Sequence, residues 1–438
     1  MLARFFDDIT LNFSPWFSAG LARKIPRSVY DWKRAELFRY TVRYAYRHSK
    51  FYRKKFDLLG IDPRKVKTPS DLGDFFTTPE DVISGAEDFL CRRPQIVFES
   101  SGTTGKNKRI YYSYDEIDRI GKYNAAGLAL GGVTHDDRIV NAFDFCIWIP
   151  GLISHKGLEK GCFFELAAGK IDPAEVYKRI GVYNITVLMG EPTWLIKLTE
   201  IAEKKGSYPL KFIIAGAEHM PEGARAWMEE VWKPARVRMV YGTVEAGGIL
   251  GFEAFEECKA YHVDENNFYL EIADPDREGY GEIAYTTLGR TTMPLIRYKN
   301  RDISRLSDKI CECGLPYRKL ERLRGRSDEM VVASGGNLYP LMFEDVLKGV
   351  DCVTTDWQVV IKSRGMKEVM ELNLEVRNGC ADETLRERVF SRIKSCYPDL
   401  WKNYSLGTFE IEFVRHPAGS LRAGRKLLRL VDRRRVQY

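Results

Sequence analysis

The sequence predicts an α/β protein with a large N-terminal domain built on parallel and mixed sheets and a small α+β C-terminal domain. Short apolar runs alternate with helical segments through the middle of the chain, and glycines follow several of the runs. This alternation is typical of parallel strands joined by helices. Near residue 327 the pattern changes to longer strands around one long helix. We therefore predict a first domain over residues 1–327 and a second over 328–438.

Local signals predict the elements of the first domain. Residues 29–57 are expected to form one helix, because apolar side chains recur there at helical spacing. Asp172 followed by Pro173 is typical of a helix start, and that helix is expected to reach about Ile180. Further helices are predicted over 192–205 and 221–232, and strands over 139–143, 185–189, 211–216 and 237–241. Ligand groups collect beyond the carboxyl ends of parallel strands, so the segments after these strands form the candidate site.

The second domain follows a stretch of shorter β segments over 268–306 and a basic link over 322–328. Strands are predicted near 330–333, over 357–363 and over 369–376. A helix is predicted over 382–397, and the last strand over 409–413.

Composition excludes several classes of protein. A hydrophobic content of 44% with 29% charged residues is typical of a globular chain, and no apolar run reaches the length of a membrane span. The net charge of +7 comes largely from residues 421–438, which indicates a solvated face or a polyanion contact rather than nucleic-acid binding. Nine cysteines, an odd number, indicate a reducing cytoplasm rather than a disulfide framework. Aromatic residues near the N-terminus predict packing on the body of the protein or on a second copy in a homodimer, with membrane-surface contact as the lesser alternative.

The segment Ser100–Lys108, which reads SSGTTGKNK, is the most informative stretch of the chain. It follows an apolar run, so it is expected to be a loop that leaves a strand. Its glycines allow a tight turn, while four hydroxyls, the backbone amides and two lysines can surround phosphate oxygens. Taken alone, such a loop is as typical of a surface turn as of a phosphate site.

Several separated segments, taken in order, resemble the adenylate-forming (acyl-CoA synthetase-like) enzymes, and most closely the phenylacetate–coenzyme A ligase branch. These are SSGTTGKNK, similar to the triphosphate loop; YGTVEAGG over 241–248, similar to the YGxTE segment; GEIAYTTLGRTTMPLIRYKNRDISRL over 281–306, similar to the ribose-binding segment; LRGRSDEMVVASGGNLYP over 323–340, similar to the hinge; and GSLRAGRKLLRLVDRR over 419–434, similar to the catalytic-lysine segment. The N-terminal stretch YAYRHSKFYRKKF over 44–56 also resembles a helix of this branch.

The resemblance implies an enzyme that joins a carboxylate to the α-phosphate of ATP and expels pyrophosphate, and it implies a role for each matched residue. Lys426 would bridge the carboxylate and the α-phosphate, Glu245 would bind Mg²⁺, and Asp302 would bind the ribose hydroxyls. Asp328 would be the hinge between the domains. The predicted nucleotide-binding residues are Ser100, Ser101, Gly102, Thr103, Thr104, Gly105, Lys106, Ala217, Glu218, Tyr241, Gly242, Asp302 and Arg326, and Thr243 is predicted to be catalytic. The alternatives are surface salt bridges for Glu245 and Asp302 and a solvated tail for Lys426.

The predicted acid pocket is lined by Phe143, Asp144, Phe145, Trp148, Ala215 and His219, with Ala217 beside them. Its aromatic walls suit a flat ring. Asp144 stands where the phenylacetate branch carries glycine, and an uncompensated carboxylate is costly beside an apolar substrate. We therefore expect an aryl or heteroaryl acid with a hydroxyl or amino group, unless Asp144 turns outward to cap a helix or to pair with an arginine. Arg425 also departs from the family pattern, because it occupies the usual glycine position before the lysine.

Cys258 with His262 and Cys311 with Cys313 make two closely spaced pairs of metal-binding type. Three cysteines and a histidine can form a closed structural zinc site. Reduced core thiols are the alternative, because a long gap separates the pairs.

The sequence therefore predicts an ATP- and Mg²⁺-dependent acid–thiol ligase that uses coenzyme A. A carrier-protein thiol, an amine or another acceptor remains an alternative, as does nucleotidyl transfer of the kind that modifies a deazaflavin. A non-catalytic nucleotide-binding module is the alternative from another class.

Overall fold

The computed structural model describes residues 12–100, 107–218, 220, 222–254, 258, 260–309, 311–328, 330–333, 336–350, 352–364, 367–377, 381–421 and 427–434. The chain divides into two compact units. The first contains Met1–Met220, Ala224–Asn300 and Arg305–Arg322, and the second contains Pro221–Gly223, Arg301–Ser304 and Leu323–Tyr438. The predicted boundary at residue 327 stays a prediction.

In the described part of the chain, nine helices precede residue 232. They are α1 (Pro15–Ala22), α2 (Arg27–His48), α3 (Lys50–Leu59), α4 (Pro79–Gly85), α5 (Tyr114–Leu130), α6 (Ile149–Lys160), α7 (Pro173–Val182), α8 (Pro192–Lys205) and α9 (Glu222–Val231), with 3₁₀ turns at Pro69–Leu72 and Ala86–Phe89. Side-chain caps start several of them. Asp172 accepts a hydrogen bond from the Ala174 amide at the start of α7, as the Asp-Pro pair predicted.

A nine-stranded sheet forms the centre of the first unit. Its strands are β3 (Arg138–Asn141), β4 (Phe164–Ala167), β5 (Val187–Gly190), β6 (Phe212–Gly216), β7 (Arg236–Thr243), β8 (Gly248–Phe252), β9 (Tyr261–Val263), β13 (Leu306–Ser307) and β14 (Lys319–Leu320), in the order β13-β14-β9-β8-β7-β6-β5-β3-β4. Strands β4, β3, β5, β6 and β7 are parallel, and the pairs from β7 to β13 are antiparallel. The parallel half places the ends of β3, β5, β6 and β7 along one edge, where the candidate site lies.

Two smaller groups of strands complete this part of the chain. Strands β1 (Ile96–Ser100) and β2 (Lys108–Tyr112) form an antiparallel pair, with Ser100 opposite Lys108. A four-stranded sheet has the order β10 (Phe268–Ala273), β11 (Gly281–Thr287), β12 (Tyr298–Ser304) and β15 (Gly325–Arg326). Strand β12 begins in the first unit, and its residues from Arg301 onward belong to the second.

The rest of the second unit is an α+β structure. It contains β16 (Val331–Ala333), β17 (Gly336–Leu338), α10 (Pro340–Leu347), β18 (Val353–Arg364), β19 (Lys367–Val376), α11 (Asp382–Cys396), α12 (Pro398–Ser405), β20 (Phe409–His416) and β21 (Leu430–Asp432). Four of these strands form one sheet in the order β20-β19-β18-β21. Its apolar face and the helices share one core, in which Phe343, Val389 and Phe409 are buried. The predicted fold class is confirmed.

Two expectations from the sequence are wrong in detail. The helix expected over 29–57 is two helices, because Ser49 is extended and caps α3 by accepting a hydrogen bond from the Tyr52 amide. The strand over 409–413 is not the last, since β21 follows it and pairs with β18. Among the described cysteines, seven are free thiols and Cys352 is disulfide-bonded. None of the helices among the described residues has the length and apolar character needed to cross a membrane.

Candidate active site

Small residues lie at the carboxyl edge of the parallel sheet. Gly190 ends β5 opposite Ala215 of β6, and a Cβ on Gly190 would lie 3.4 Å from that of Ala142. Ala217, just past β6, has a backbone φ of 68°, a conformation that residues other than glycine rarely adopt. Backbone strain of this kind persists where surrounding structure holds it, often at functional sites. Small, buried residues therefore line the carboxyl ends of three adjacent strands, β3, β5 and β6.

Glu245 follows β7 and lies almost wholly inside the protein. Its side chain is 5% exposed and pairs with the ammonium group of Lys108, whose side chain is 13% exposed. The Tyr298 hydroxyl donates a second hydrogen bond, 3.2 Å from Oε1 of Glu245. Burial raises the pKa of this carboxyl, but the Lys108 charge and its hydrogen bond outweigh burial and hold the pKa below its ordinary value. Glu245 is therefore an ionised carboxylate with a cation beside it.

The backbone that carries Glu245 is held by side chains from other elements. Arg290 donates to the carbonyl oxygen of Glu245 at 2.6 Å, and its guanidinium lies 4.0 Å from the centre of the Tyr112 ring. The Tyr112 hydroxyl in turn donates to the carbonyl oxygen of Val244. Gly242 lies so close to Gly248 that a Cβ there would be 2.1 Å from a carbonyl oxygen, so this position requires glycine. These contacts preorganise the carboxylate at the end of β7.

Thr243 and Tyr241 have structural partners. The Thr243 hydroxyl lies 3.0 Å from the Tyr285 hydroxyl and accepts a hydrogen bond from the Ala246 amide at 3.1 Å. These contacts favour a positioning role for Thr243, while its predicted catalytic role stays untested. Tyr241 is buried, and its hydroxyl accepts a hydrogen bond from Asn300 at 2.7 Å. Glu218, another predicted nucleotide ligand, accepts a hydrogen bond from the Thr193 amide at 3.1 Å.

In the second unit, one arginine joins two of the predicted site residues. Arg326 donates through Nε and Nη2 to both carboxylate oxygens of Asp328, at 2.8 and 2.9 Å. Its Nη1 lies 3.2 Å from Oδ1 of Asp302, which is 6% exposed. Although partial burial raises the pKa of Asp328, the hydrogen bonds from Arg326 lower it more, so the pKa lies below its ordinary value. The predicted ribose ligand and the predicted hinge therefore share one guanidinium.

The residues of the predicted acid pocket differ in their exposure, and the pocket itself stays a prediction. Phe143 and Ala215 are buried, whereas the Phe145 ring is 41% exposed and Trp148 is half-buried. Oδ1 of Asp144 accepts a hydrogen bond from the Cys146 amide at 3.0 Å, so this carboxylate caps its own turn. This contact favours the capping alternative for Asp144 over direct contact with the acid.

Eight predicted site residues lie outside the described part of the chain. They are Ser101, Gly102, Thr103, Thr104, Gly105, Lys106, His219 and Lys426. Their predicted roles remain predictions. The two ends of the SSGTTGKNK segment are described. Ser100 ends β1, and Lys108 begins β2 directly opposite it.

The two cysteine- and histidine-containing pairs come together in the first unit. The donor atoms of Cys258, His262, Cys311 and Cys313 all lie within 4.8 Å of one another. Nε2 of His262 is 3.3 Å from the sulfurs of Cys258 and Cys313, and those of Cys258 and Cys311 are 3.7 Å apart. Tetrahedral Zn–S bonds of about 2.3 Å place two sulfurs about 3.8 Å apart. Burial lowers the pKa of His262 to about 4, so its imidazole is neutral. The four donors fit one tetrahedral ion.

The sequence analysis did not predict that Glu245 is contacted by Lys108, Arg290 and Tyr298. Lys108 carried a partial signal as the last residue of the phosphate-type loop. No local pattern marks the other two, because both come from segments distant in sequence.

Two family models match the chain. Residues 94–280 match the model of the AMP-binding enzyme family, and residues 335–434 match the model of the AMP-binding enzyme C-terminal domain. Together they cover about two thirds of the chain. This protein belongs to the AMP-binding, adenylate-forming family of enzymes.

Within that family, the similar curated proteins include phenylacetate–coenzyme A ligases. The one from Thermus thermophilus is 29% identical over 369 residues, covering 80% of this chain and 82% of the relative. The one from Escherichia coli is 26% identical over 370 residues, covering 80% and 83%. An indoleacetate–lysine synthetase from Pseudomonas savastanoi is 23% identical over 346 residues, covering 76% and 83%.

Solved structures share the fold. A 2-hydroxyisobutyryl-CoA ligase in its postadenylation state superposes with a TM-score of 0.80 at 19% identity, covering 93% of this chain and 90% of that one. The o-succinylbenzoate coenzyme A synthetase of Bacillus subtilis with ATP and a magnesium ion has a TM-score of 0.54 at 20% identity, covering 76% and 68%.

Proposed function

We propose that this protein is an ATP-dependent acid–thiol ligase. It activates a carboxylic acid as an acyl-adenylate with release of pyrophosphate, and it then passes the acyl group to coenzyme A. The observation that carries the proposal is the buried Glu245–Lys108 pair, because it joins the carboxylate after β7 to the end of the phosphate-type loop. The phenylacetate–coenzyme A ligases among its relatives support the same reaction.

The described contacts suit the first half-reaction. Mg²⁺ bound at Glu245 would neutralise charge on the phosphates of ATP, and carboxylate oxygen is the ligand type that Mg²⁺ prefers. Lys108 would hold Glu245 ionised before the metal arrives and could then turn to a phosphate oxygen. Asp302 would accept hydrogen bonds from the ribose hydroxyls, with Arg326 setting its orientation. Lys426 would bridge the acid and the α-phosphate.

The second half-reaction needs different groups at the same site, so we infer a domain rotation about Asp328. A related ligase is described in both a postadenylation and a thioesterification state, which supports this inference. The bidentate Arg326–Asp328 contact would hold one of the two orientations. Coenzyme A is the favoured acceptor. The lysine synthetase among the relatives keeps an amine acceptor as an alternative.

We also infer a structural zinc ion at Cys258, His262, Cys311 and Cys313. All four donors are needed to complete a tetrahedral shell, so this ion would stabilise the fold rather than bind substrate. The site would hold the segments before β9 and β14 together. The substrate itself we infer to be an aryl or heteroaryl acid with a hydroxyl or amino group.

Pyrophosphate release tests the proposal. Purified protein is incubated with ATP, Mg²⁺ and a panel of aryl, heteroaryl, aliphatic and amino acids, with and without coenzyme A. Acid-dependent release that Lys426→Ala abolishes is the expected result. Release that needs no acid, or none with any acid, would reject an acid ligase and favour nucleotidyl transfer or a non-catalytic module.

A further inference from the structure

Three polar side chains form a hydrogen-bonded chain at the outer edge of the parallel sheet. We call this chain the relay, and its members are His155, Glu165 and Asn141. Nδ1 of His155, on α6, lies 2.6 Å from Oε2 of Glu165 on the edge strand β4. The other oxygen of Glu165 accepts a hydrogen bond from Nδ2 of Asn141 at 2.9 Å. Asn141 ends β3 and is completely buried. Both oxygens of one carboxylate are thus engaged, and the Glu165 orientation is set from within the core.

The backbone fixes Asn141 in turn. Its Nδ2 also donates to the carbonyl oxygen of Gly151 at 3.3 Å, and its Oδ1 accepts a hydrogen bond from the Phe143 amide at 3.3 Å. The same asparagine therefore positions Glu165, the start of α6 and the loop that enters the predicted acid pocket. A change in the conformation of that loop would therefore move Asn141 and alter its hydrogen bond to Glu165.

The relay determines which nitrogen of His155 carries the proton. A carboxylate can only accept hydrogen bonds, so Nδ1 is the donor, and in the neutral form of an imidazole held this way Nε2 is the acceptor. The His155 side chain is 40% exposed, whereas that of Glu165 is 11% exposed. Among the described residues, no group pairs with Nε2. The relay thus fixes one ring nitrogen as an acceptor on a partly exposed side chain.

That acceptor lies beside an exposed aromatic ring. The Phe145 and His155 rings meet edge to face, with centroids 6.3 Å apart. Phe145 belongs to the loop after β3, at the sheet edge where ligands of parallel sheets bind. Oδ1 of the neighbouring Asp144 is already engaged by the Cys146 amide. An aromatic face and a nitrogen acceptor side by side match a ring that carries a hydrogen-bond donor.

We propose that Nε2 of His155 accepts a hydrogen bond from a hydroxyl or amino group on the ring of the acid. Glu165 and Asn141 are the residues that position His155. This inference rests on the proposed function and specifies its substrate class. It replaces Asp144 with His155 as the residue that selects a polar acid. A site built around a hydrogen bond discriminates strongly against analogues that lack the partner group.

The test compares kcat/KM of pyrophosphate release for hydroxy- and aminobenzoates and for unsubstituted benzoate. His155→Phe keeps the ring contact with Phe145 and removes the acceptor, and Glu165→Gln removes the carboxylate that sets the tautomer. His135→Phe is the matched control, because its side chain is 74% exposed, and its contacts are with Asp136 and with the edge of the Trp16 ring. We expect His155→Phe to reduce the preference for substituted acids about tenfold to a hundredfold. Glu165→Gln should reduce it less, and the control should leave it unchanged.

A binding measurement separates this inference from the proposed function. The chain has six histidines, so the imidazole resonance of His155 can be assigned by its loss in His155→Phe. Hydroxy- or aminobenzoate added to the wild-type protein should shift this resonance, and benzoate should not. If the protein releases no pyrophosphate with any acid, the ligase proposal fails and this shift alone decides the role of His155. An unshifted resonance, or an unchanged preference in an active His155→Phe variant, would overturn the inference.

Discussion

Replacing Lys108 with methionine is expected to destabilise the first unit, because Glu245 would keep its charge in a buried position without a cation. The two side chains are only 5% and 13% exposed, so solvent screens their interaction weakly. Removing one partner of a buried pair costs about 3–5 kcal/mol. At about 2 °C per kcal/mol for a protein of this size, Tm at pH 7 should fall by about 6–10 °C.

The pH dependence of this effect has a definite sign. In the wild type the pKa of Glu245 is lowered, so the pair contributes its full stability above the ordinary carboxyl pKa of 4.5 and loses it as pH falls through the lowered value. In Lys108→Met the cation is lost while the hydrogen bond from Tyr298 stays, so burial, the largest influence, raises the pKa of Glu245. The carboxyl can then be buried neutral once pH falls through the raised value. The deficit in Tm should therefore shrink between pH 7 and pH 4.5.

Thermal unfolding followed by circular dichroism at pH 7 and pH 5 measures both effects. The double variant Lys108→Met with Glu245→Gln removes the unpaired charge and should recover most of the lost stability. Lys233→Met is the control, since Lys233 and Glu230 form an exposed pair, 67% and 69% exposed, that should contribute at most about 1 kcal/mol. The account of the pair would be refuted if Lys108→Met lowered the free energy of unfolding by less than about 1 kcal/mol, or if this loss did not change with pH.

Three further predictions concern Lys426, the proposed zinc ion and the proposed hinge at Asp328. Lys426→Ala should reduce the rate of pyrophosphate release at least about a hundredfold, which corresponds to about 3 kcal/mol, without lowering Tm, and a wild-type rate would disprove the assignment. Protein purified without added zinc should contain about one equivalent, and Cys258→Ser should lose the metal and unfold at lower temperature. Metal-free protein with an unchanged Tm would favour reduced core thiols. Asp328→Pro fixes one backbone angle and removes the partner of Arg326, so it should slow thioester formation much more than adenylation. Equal slowing of the two half-reactions would argue against the hinge.

Elements with strong local signals could be predicted from the sequence. Helix α8 has the predicted bounds of 192–205, and α7 begins at Pro173 behind its Asp172 cap, because both starts carry proline at the first turn. The break at Ser49 was missed because apolar spacing continues across it. Strand β21 was missed because three residues in a basic segment become a strand only by pairing with β18, far back in the chain.

In the candidate site, too, some features could be predicted from the sequence and others appear only in the folded structure. The resemblance predicted Glu245 to be a metal ligand, but its partner Lys108 lies 137 positions earlier, and only the folded sheet brings them together. The paired spacing of Cys258 with His262 and of Cys311 with Cys313 did predict one cluster across a long gap. The relay to His155 could not be predicted, because Asn141, Glu165 and His155 stand on three different elements and none of them carries a motif.

The acyl-adenylate itself is the most direct test of the central proposal. The protein is incubated with ATP, Mg²⁺ and a hydroxy- or aminobenzoate, first without and then with coenzyme A, and the products are identified by mass spectrometry. We predict acyl-AMP bound to the protein when coenzyme A is absent, and acyl-CoA with free AMP when it is present. Formation of ADP and phosphate, or the absence of any adenylate with every acid of the panel, would contradict the proposal.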